Sequence, residues 1–158
     1  MLLRGNKIEL KKTKQESKKG AIMPIEEQKL YLTKEYAEAI RYMDNAKKTL
    51  KEAQKEDDWY YKDKKYVKTA CGTAYNGVLV ALDAWLKVKG VEIKKGKRKS
   101  IEYYTDNVAV LDGKMSRRLK TAYNILHLAG YYDGETRMSI IKDGFETAYE
   151  IIDKIKPN

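Results

Sequence analysis

Along residues 68–90, KTACGTAYNGVLVALDAWLKVKG, small side chains recur at helical spacing: Ala70, Ala74, Gly77, Ala81 and Ala84. Beside them runs a bulky seam of Val67, Cys71, Tyr75, Val78, Leu82 and Trp85, and a third row of Gly72, Leu79 and Leu86 widens the apolar surface. One polar stripe is left, Thr69, Thr73, Asn76, Asp83 and Lys87, interrupted by Val80. A helix apolar over most of its circumference belongs in the middle of a bundle. The small seam lets a neighbouring helix approach closely, and Leu82 and Trp85 supply the bulk of a core. Asn76 and Asp83 then have to be hydrogen-bonded within the bundle or line a pocket.

The pattern on either side is amphipathic and helical. Residues 26–55 place Leu32, Tyr36, Ile40, Met43, Ala46, Leu50 and Ala53 on one face, with Pro24 suited to the start and Glu26 and Glu27 to the positive end of the dipole. Residues 55–65, KEDDWYYKDKK, break the period and predict a turn, with Trp59 folded back as a cover. Ser100 is a plausible N-cap for a shorter helix carrying Ile101, Tyr104, Val108 and Leu111, which Asp112-Gly113 stops. A fourth helix, with Ser116 as its candidate cap, turns Leu119, Ala122, Tyr123, Leu126 and Ala129 inward and ends at Gly130, leaving Tyr131 to Gly134 as a turn. The last, residues 136–156, offers Ile140, Ile141, Phe145, Ala148, Ile152 and Ile155 before Pro157. Nothing alternates with period two for long, so the predicted class is all-α, an antiparallel helical bundle of four to five helices forming one domain over residues 23–158.

The net charge of +10 would suggest a nucleic-acid partner, but its placement narrows that reading. Residues 1–22 hold +5 and residues 87–99 hold +6, so the rest of the chain is close to neutral at −1. Residues 1–22 are Lys-rich, aperiodic and free of aromatic side chains, and read as a disordered basic leader. Met23 is a candidate natural start, because Lys18-Lys19-Gly20 is what a purine-rich ribosome-binding sequence reads as when translated. One cysteine permits no internal disulfide, and Cys71 sits on the bulky seam as a core residue. The longest uncharged stretch, Thr69 to Leu82, is 14 residues, short of a membrane span, and no signal peptide is visible, so a cytoplasmic protein is expected. Glu56, Asp57, Asp58 and Asp63 lack the spacing of a cation loop, and no metal or cofactor is expected.

The order AYNGVLVALDAWLKVKG, a basic linker, SIEYY, then LKTAYNILHLAGYYDG and a terminal amphipathic helix resembles the HEPN helical bundles of prokaryotes. The chain with its first helix also resembles a short bacterial all-helical family of unknown function. The HEPN resemblance implies antiparallel bundles, frequent homodimers, and either RNA cleavage or partnership with nucleotidyltransferases in toxin–antitoxin-like pairs. The nuclease signature of such bundles, Arg, four to six residues, then His, is absent: Arg117 and Arg118 precede the single histidine, His127, with nine and eight residues between.

Three sets of residues remain as candidates. His127 is read either as a flanking residue hydrogen-bonded to a tyrosine or a carbonyl, or as part of an active site that a dimer mate completes. One His and one distant Cys cannot build a tetrahedral zinc site. Lys94, Lys95, Lys97, Arg98 and Lys99, with Arg117 and Arg118, are either phosphate contacts for RNA or solvated surface. Tyrosine is over-represented, 13 against one Phe, and the pairs Tyr60-Tyr61, Tyr103-Tyr104 and Tyr131-Tyr132 fall beside helix ends, where they suit rim packing or an interface. The expectation is a non-catalytic protein that works by association, with itself first, with another protein partner second, and alternatively an RNA- or nucleotide-associated module; a ribonuclease completed across a dimer is the third class. The leader is open to direct test: the mass of the untagged native product should correspond to a chain starting at Met23, and a product starting at Met1 would rule that start out.

Overall fold

A computed structural model describes residues 23–91 and 99–158, so the expectations for the leader and for Lys94, Lys95, Lys97 and Arg98 lie outside the described residues. Five α-helices and no strand occur among them: α1 (Ile25–Glu52), α2 (Lys64–Val88), α3 (Ile101–Leu111), α4 (Gly113–Ala122) and α5 (Met138–Ile152). α4 runs on into a π-helical segment, Tyr123–Tyr132, and α5 closes in a 3₁₀ turn, Asp153–Ile155. The all-α bundle expected from the pattern is the fold found.

α2 is its axis. α1 packs along it, and the π segment and α5 cover its other sides. The small and bulky seams of α2 are all buried, and they meet Ala39, Met43 and Ala46 of α1 and Ile141, Phe145, Ala148 and Ile152 of α5 in one core. The small seam acts as expected: a β-carbon on Gly77 would stand 3.2 Å from the Ala39 carbonyl oxygen, so the α1 and α2 backbones are nearly in contact there. No helix among the described residues is long and apolar enough to cross a membrane.

Helix boundaries follow local chemistry, and several differ from the pattern. Asp63 begins α2 by accepting from the Lys65 N–H at 3.0 Å, and Ser100 begins α3 by accepting from the Tyr103 N–H at 3.2 Å. Ser116 does not cap α4. Asp112 does, accepting from the Met115 N–H at 3.0 Å while its other oxygen takes the Lys154 ammonium at 3.1 Å; both bonds hold its carboxyl below the usual range. Ser116 is buried inside α4, where its hydroxyl donates to the Thr105 carbonyl at 3.3 Å and ties α4 to α3. Leu111, expected inside, is exposed: it is the last residue of α3, directly before the chain turns at Asp112 to begin α4. Trp59 is no cover: its side chain is 74% exposed, while its backbone carbonyl accepts from the Met138 N–H at 2.9 Å. The Asp57 carboxylate accepts from the N–H groups of Trp59 and Tyr60, both at 2.8 Å, and so serves as a turn residue.

Helix continues through Tyr131 and Tyr132, beyond the expected stop at Gly130, by widening into π geometry. A wider helix needs room, and glycines supply it on both sides. A β-carbon on Gly144 of α5 would sit 2.6 Å from Cγ2 of Ile125, and one on Gly130 would sit 2.6 Å from Cβ of Cys71. Gly130→Ala should therefore destabilise by about 1–3 kcal/mol through overpacking against α2. Chemical denaturation checks this, and an unchanged midpoint would mean that the π segment relaxes freely.

Candidate functional site

The π winding sets out the candidate site. With more than four residues to a turn, residues four apart lie closer to in line than on an α-helix. Tyr123, His127 and Tyr131 accordingly stack along the segment, with ring centroids 5.1 Å and 5.9 Å apart and interplanar angles of 28° and 18°. Tyr75 from α2 lies 4.9 Å from the imidazole at 33°, and Tyr132 meets it edge-on at 5.0 Å. Among the described residues nothing hydrogen-bonds the imidazole, so the expected tyrosine or carbonyl partner is replaced by four aromatic neighbours. Burial lowers the His127 pKa, which keeps the ring neutral at pH 7.

His127 and Tyr131 form one wall of an open groove of about 420 Å³. The facing wall is the polar stripe of α2: Thr69, Thr73 and Asn76, with Gly72 and Leu79 between them. Gly72 is where α2 makes space, since a β-carbon there would stand 2.9 Å from the Tyr131 ring. The Thr69 and Thr73 hydroxyls donate to the Lys65 and Thr69 carbonyls, at 3.2 Å and 2.9 Å, which leaves their lone pairs as acceptors; the exposed Asn76 side chain adds a donor and an acceptor. Both outcomes foreseen for the polar stripe occur. Asn76 lines the groove, whereas Asp83 accepts from the Tyr104 hydroxyl at 2.9 Å and pairs with Lys99 at 3.0 Å. Burial and the Asp83 carboxylate together push the Tyr104 hydroxyl pKa far up.

The cations singled out in the sequence do not gather at His127. Arg118 pairs with Glu150 of α5 at 2.8 Å. Arg117 is exposed and its guanidinium reaches back toward Gly113, at the start of α4. Lys99 is held by Asp83 near the far end of α2. Within one chain, therefore, neither arginine is directed to the imidazole.

The tyrosine pairs divide. Tyr104 is 3% exposed and committed to Asp83, and Tyr103 is half-buried against it, ring edge to face at 5.3 Å. Tyr61 is half-buried in the link between α1 and α2. Tyr60, Tyr131 and Tyr132 are exposed, the last to 61%. Trp59 joins them, and the sequence reading missed it as a surface residue. The Tyr61 N–H donates to the Thr136 carbonyl at 2.8 Å, so the link lies beside residues 136–138, just past the end of the π segment. Trp59, Tyr60, Tyr131 and Tyr132 thus share one end of the bundle.

Fold and site together describe an all-α bundle with an aromatic groove on its central helix and exposed aromatic side chains at one end. Over residues 34–157 the chain matches the family described as "Domain of unknown function (DUF5618)", and it belongs to that family. This agrees with its resemblance to a short all-helical family of unknown function. A solved protein of unknown function from Dyadobacter fermentans is similar to it, with 36% sequence identity and a TM-score of 0.68 over 78% of this chain and 94% of that chain. No curated protein matches.

Because the folded state lowers the His127 pKa, the native protein binds fewer protons than the unfolded chain once pH falls below about 6.5. The stability this shielding contributes is complete above that pH and is lost as pH drops through the lowered folded value. With only one histidine in the chain, His127→Phe, which keeps a ring in the stack, should flatten the melting temperature between about pH 7 and 5 relative to the parent. Equal slopes for both proteins would show the imidazole to be fully solvated.

Proposed function

We propose that the protein works by association and not by catalysis, with the aromatic end as its docking surface and a second copy of the chain as its first partner. The observation that carries this is the exposure of Trp59, Tyr60, Tyr131 and Tyr132 together at one end of the bundle. Large aromatic side chains left in water are the residue types that dominate binding energy at protein interfaces. The resemblance of the sequence to HEPN bundles, which frequently form homodimers, supports the same reading. The compartment we propose is the cytoplasm, where the buried Cys71 thiol, its pKa pushed up to about 12, has no disulfide to form.

The groove favours a second reading, an RNA- or nucleotide-associated module. Tyr131 ends the aromatic stack at the groove, where a planar heterocycle can continue it, and Thr69, Thr73 and Asn76 offer hydrogen bonds to the edge of such a ring.

Sedimentation of residues 23–158 separates the two, with and without a pool of short RNAs, at low and physiological salt. A homodimer indifferent to RNA is expected. Trp59→Ser with Tyr132→Ser should shift it toward monomer, with the dimer dissociation constant raised about 30-fold or more if each ring contributes as interface hot spots do. A monomer that forms a salt-sensitive RNA complex would overturn association in favour of the second reading.

A further inference from the structure

We propose that a cleft between the last turns of α1 and the link binds a small anionic amphiphile, a carboxylate or phosphate carried on an apolar body. The cleft has a volume of about 350 Å³ and is lined by Lys47, Leu50, Lys51 and Gln54 of α1 and by Lys55 and Tyr61 of the link. That is within the size range of small-ligand sites. It lies apart from the His127 groove and does not depend on the association reading.

The lining specifies the ligand. Leu50 and Tyr61, both packed against the core, form an apolar floor, and the lysine stems extend it. A body that displaces water from this floor has to be apolar itself. Lys47, Lys51 and Lys55 follow at intervals of four, and the ion pairs found among the described residues engage none of them. The ammonium of Lys47 stands 4.7 Å from the centre of the Tyr149 ring, a contact that leaves its charge uncompensated. Lysines near a helix C-terminus also complement the dipole. That accounts for their charge but not for the apolar space between them.

Gln54 is the independent sign. It is the only non-glycine residue with positive φ among the described residues, at 55°, and it stands just past the Ala53 cap, where helices usually place glycine. The left-handed turn folds the link back: the Lys62 N–H donates to the Gln54 carbonyl at 3.0 Å, and Lys55 pairs across with Tyr61, which brings the Tyr61 ring to the cleft. Glycine would make the same turn without strain. What glutamine adds is an exposed side chain on the cleft lining beside the lysines, whose amide is free to donate to an anionic head at the rim.

The test is an amide-resolved NMR titration of the full chain with sodium decanoate. Saturable shifts confined to the neighbourhood of Leu50, Gln54 and Tyr61 are expected, with a dissociation constant below about 1 mM. Decyl phosphate should do the same, and decyltrimethylammonium should not. Lys51→Ala with Lys55→Ala should weaken decanoate at least about tenfold. Gln54→Gly should raise the unfolding midpoint while weakening decanoate, a combination that a purely structural role for Gln54 cannot give. Equal binding of the cationic amphiphile, shifts centred elsewhere, or no shift at millimolar decanoate would each overturn the proposal. So would binding to phosphatidylglycerol vesicles without binding to decanoate, which would make the lysine row a membrane contact.

Discussion

Everything in this bundle answers to the need to surround α2. A helix with apolar side chains on nearly every side cannot stay in water, and burying its two seams requires cover from several directions at once. α1 comes closest where Gly77 meets Ala39, because no side chain on α2 holds the two backbones apart there. The π segment and α5 cover the other sides of α2, with Gly130 against Cys71 and Tyr123 against Tyr75 on the bulky seam. Part of the polar stripe, Thr69, Thr73 and Asn76, stays open to solvent, and the groove forms there. The candidate site is thus what remains of the surface of the central helix once the core is satisfied.

That logic explains why the architecture was legible in the sequence. Spacing in residues 68–90 distinguishes inward from outward positions one by one, and every member of the two seams is buried as expected. Asn76 and Asp83 were marked as residues needing a partner or a pocket, and each has one of the two. Periodicity does less well where a helix is short or ends. Asp112 closes α3 and opens α4 with one residue, whereas the pattern placed the cap at Ser116, because an inward serine and a capping serine look alike when only spacing is read.

The site was legible in its parts and not in its assembly. The pattern marks His127, Tyr131 and Tyr132 but puts Tyr75 and Tyr123 in the core, and the stacking of Tyr123 on the imidazole follows from π winding that no 3.6-residue period reveals. Trp59, which the broken period at residues 55–65 makes a cover, stands in water. Its backbone satisfies the start of α5 and the carboxylate of Asp57 holds the turn, so the indole has no structural duty left. Burial also changes what His127 can do. A ring kept neutral and enclosed by tyrosines serves as a stacking surface more readily than as an acid.

The wide helix carries a consequence for how this region tolerates change in length. Each residue advances an α-helix by about 100° and a π-helix by less, so the segment holds more residues than ordinary winding would over the same rotation. Removing one from residues 123–132 would let it tighten toward ordinary winding with most of the rotation taken up inside the segment, so α5 keeps its place while the spacing of four that stacks Tyr123, His127 and Tyr131 is broken. The bundle and its aromatic wall therefore answer differently to a change in length: the first survives it, and the second does not.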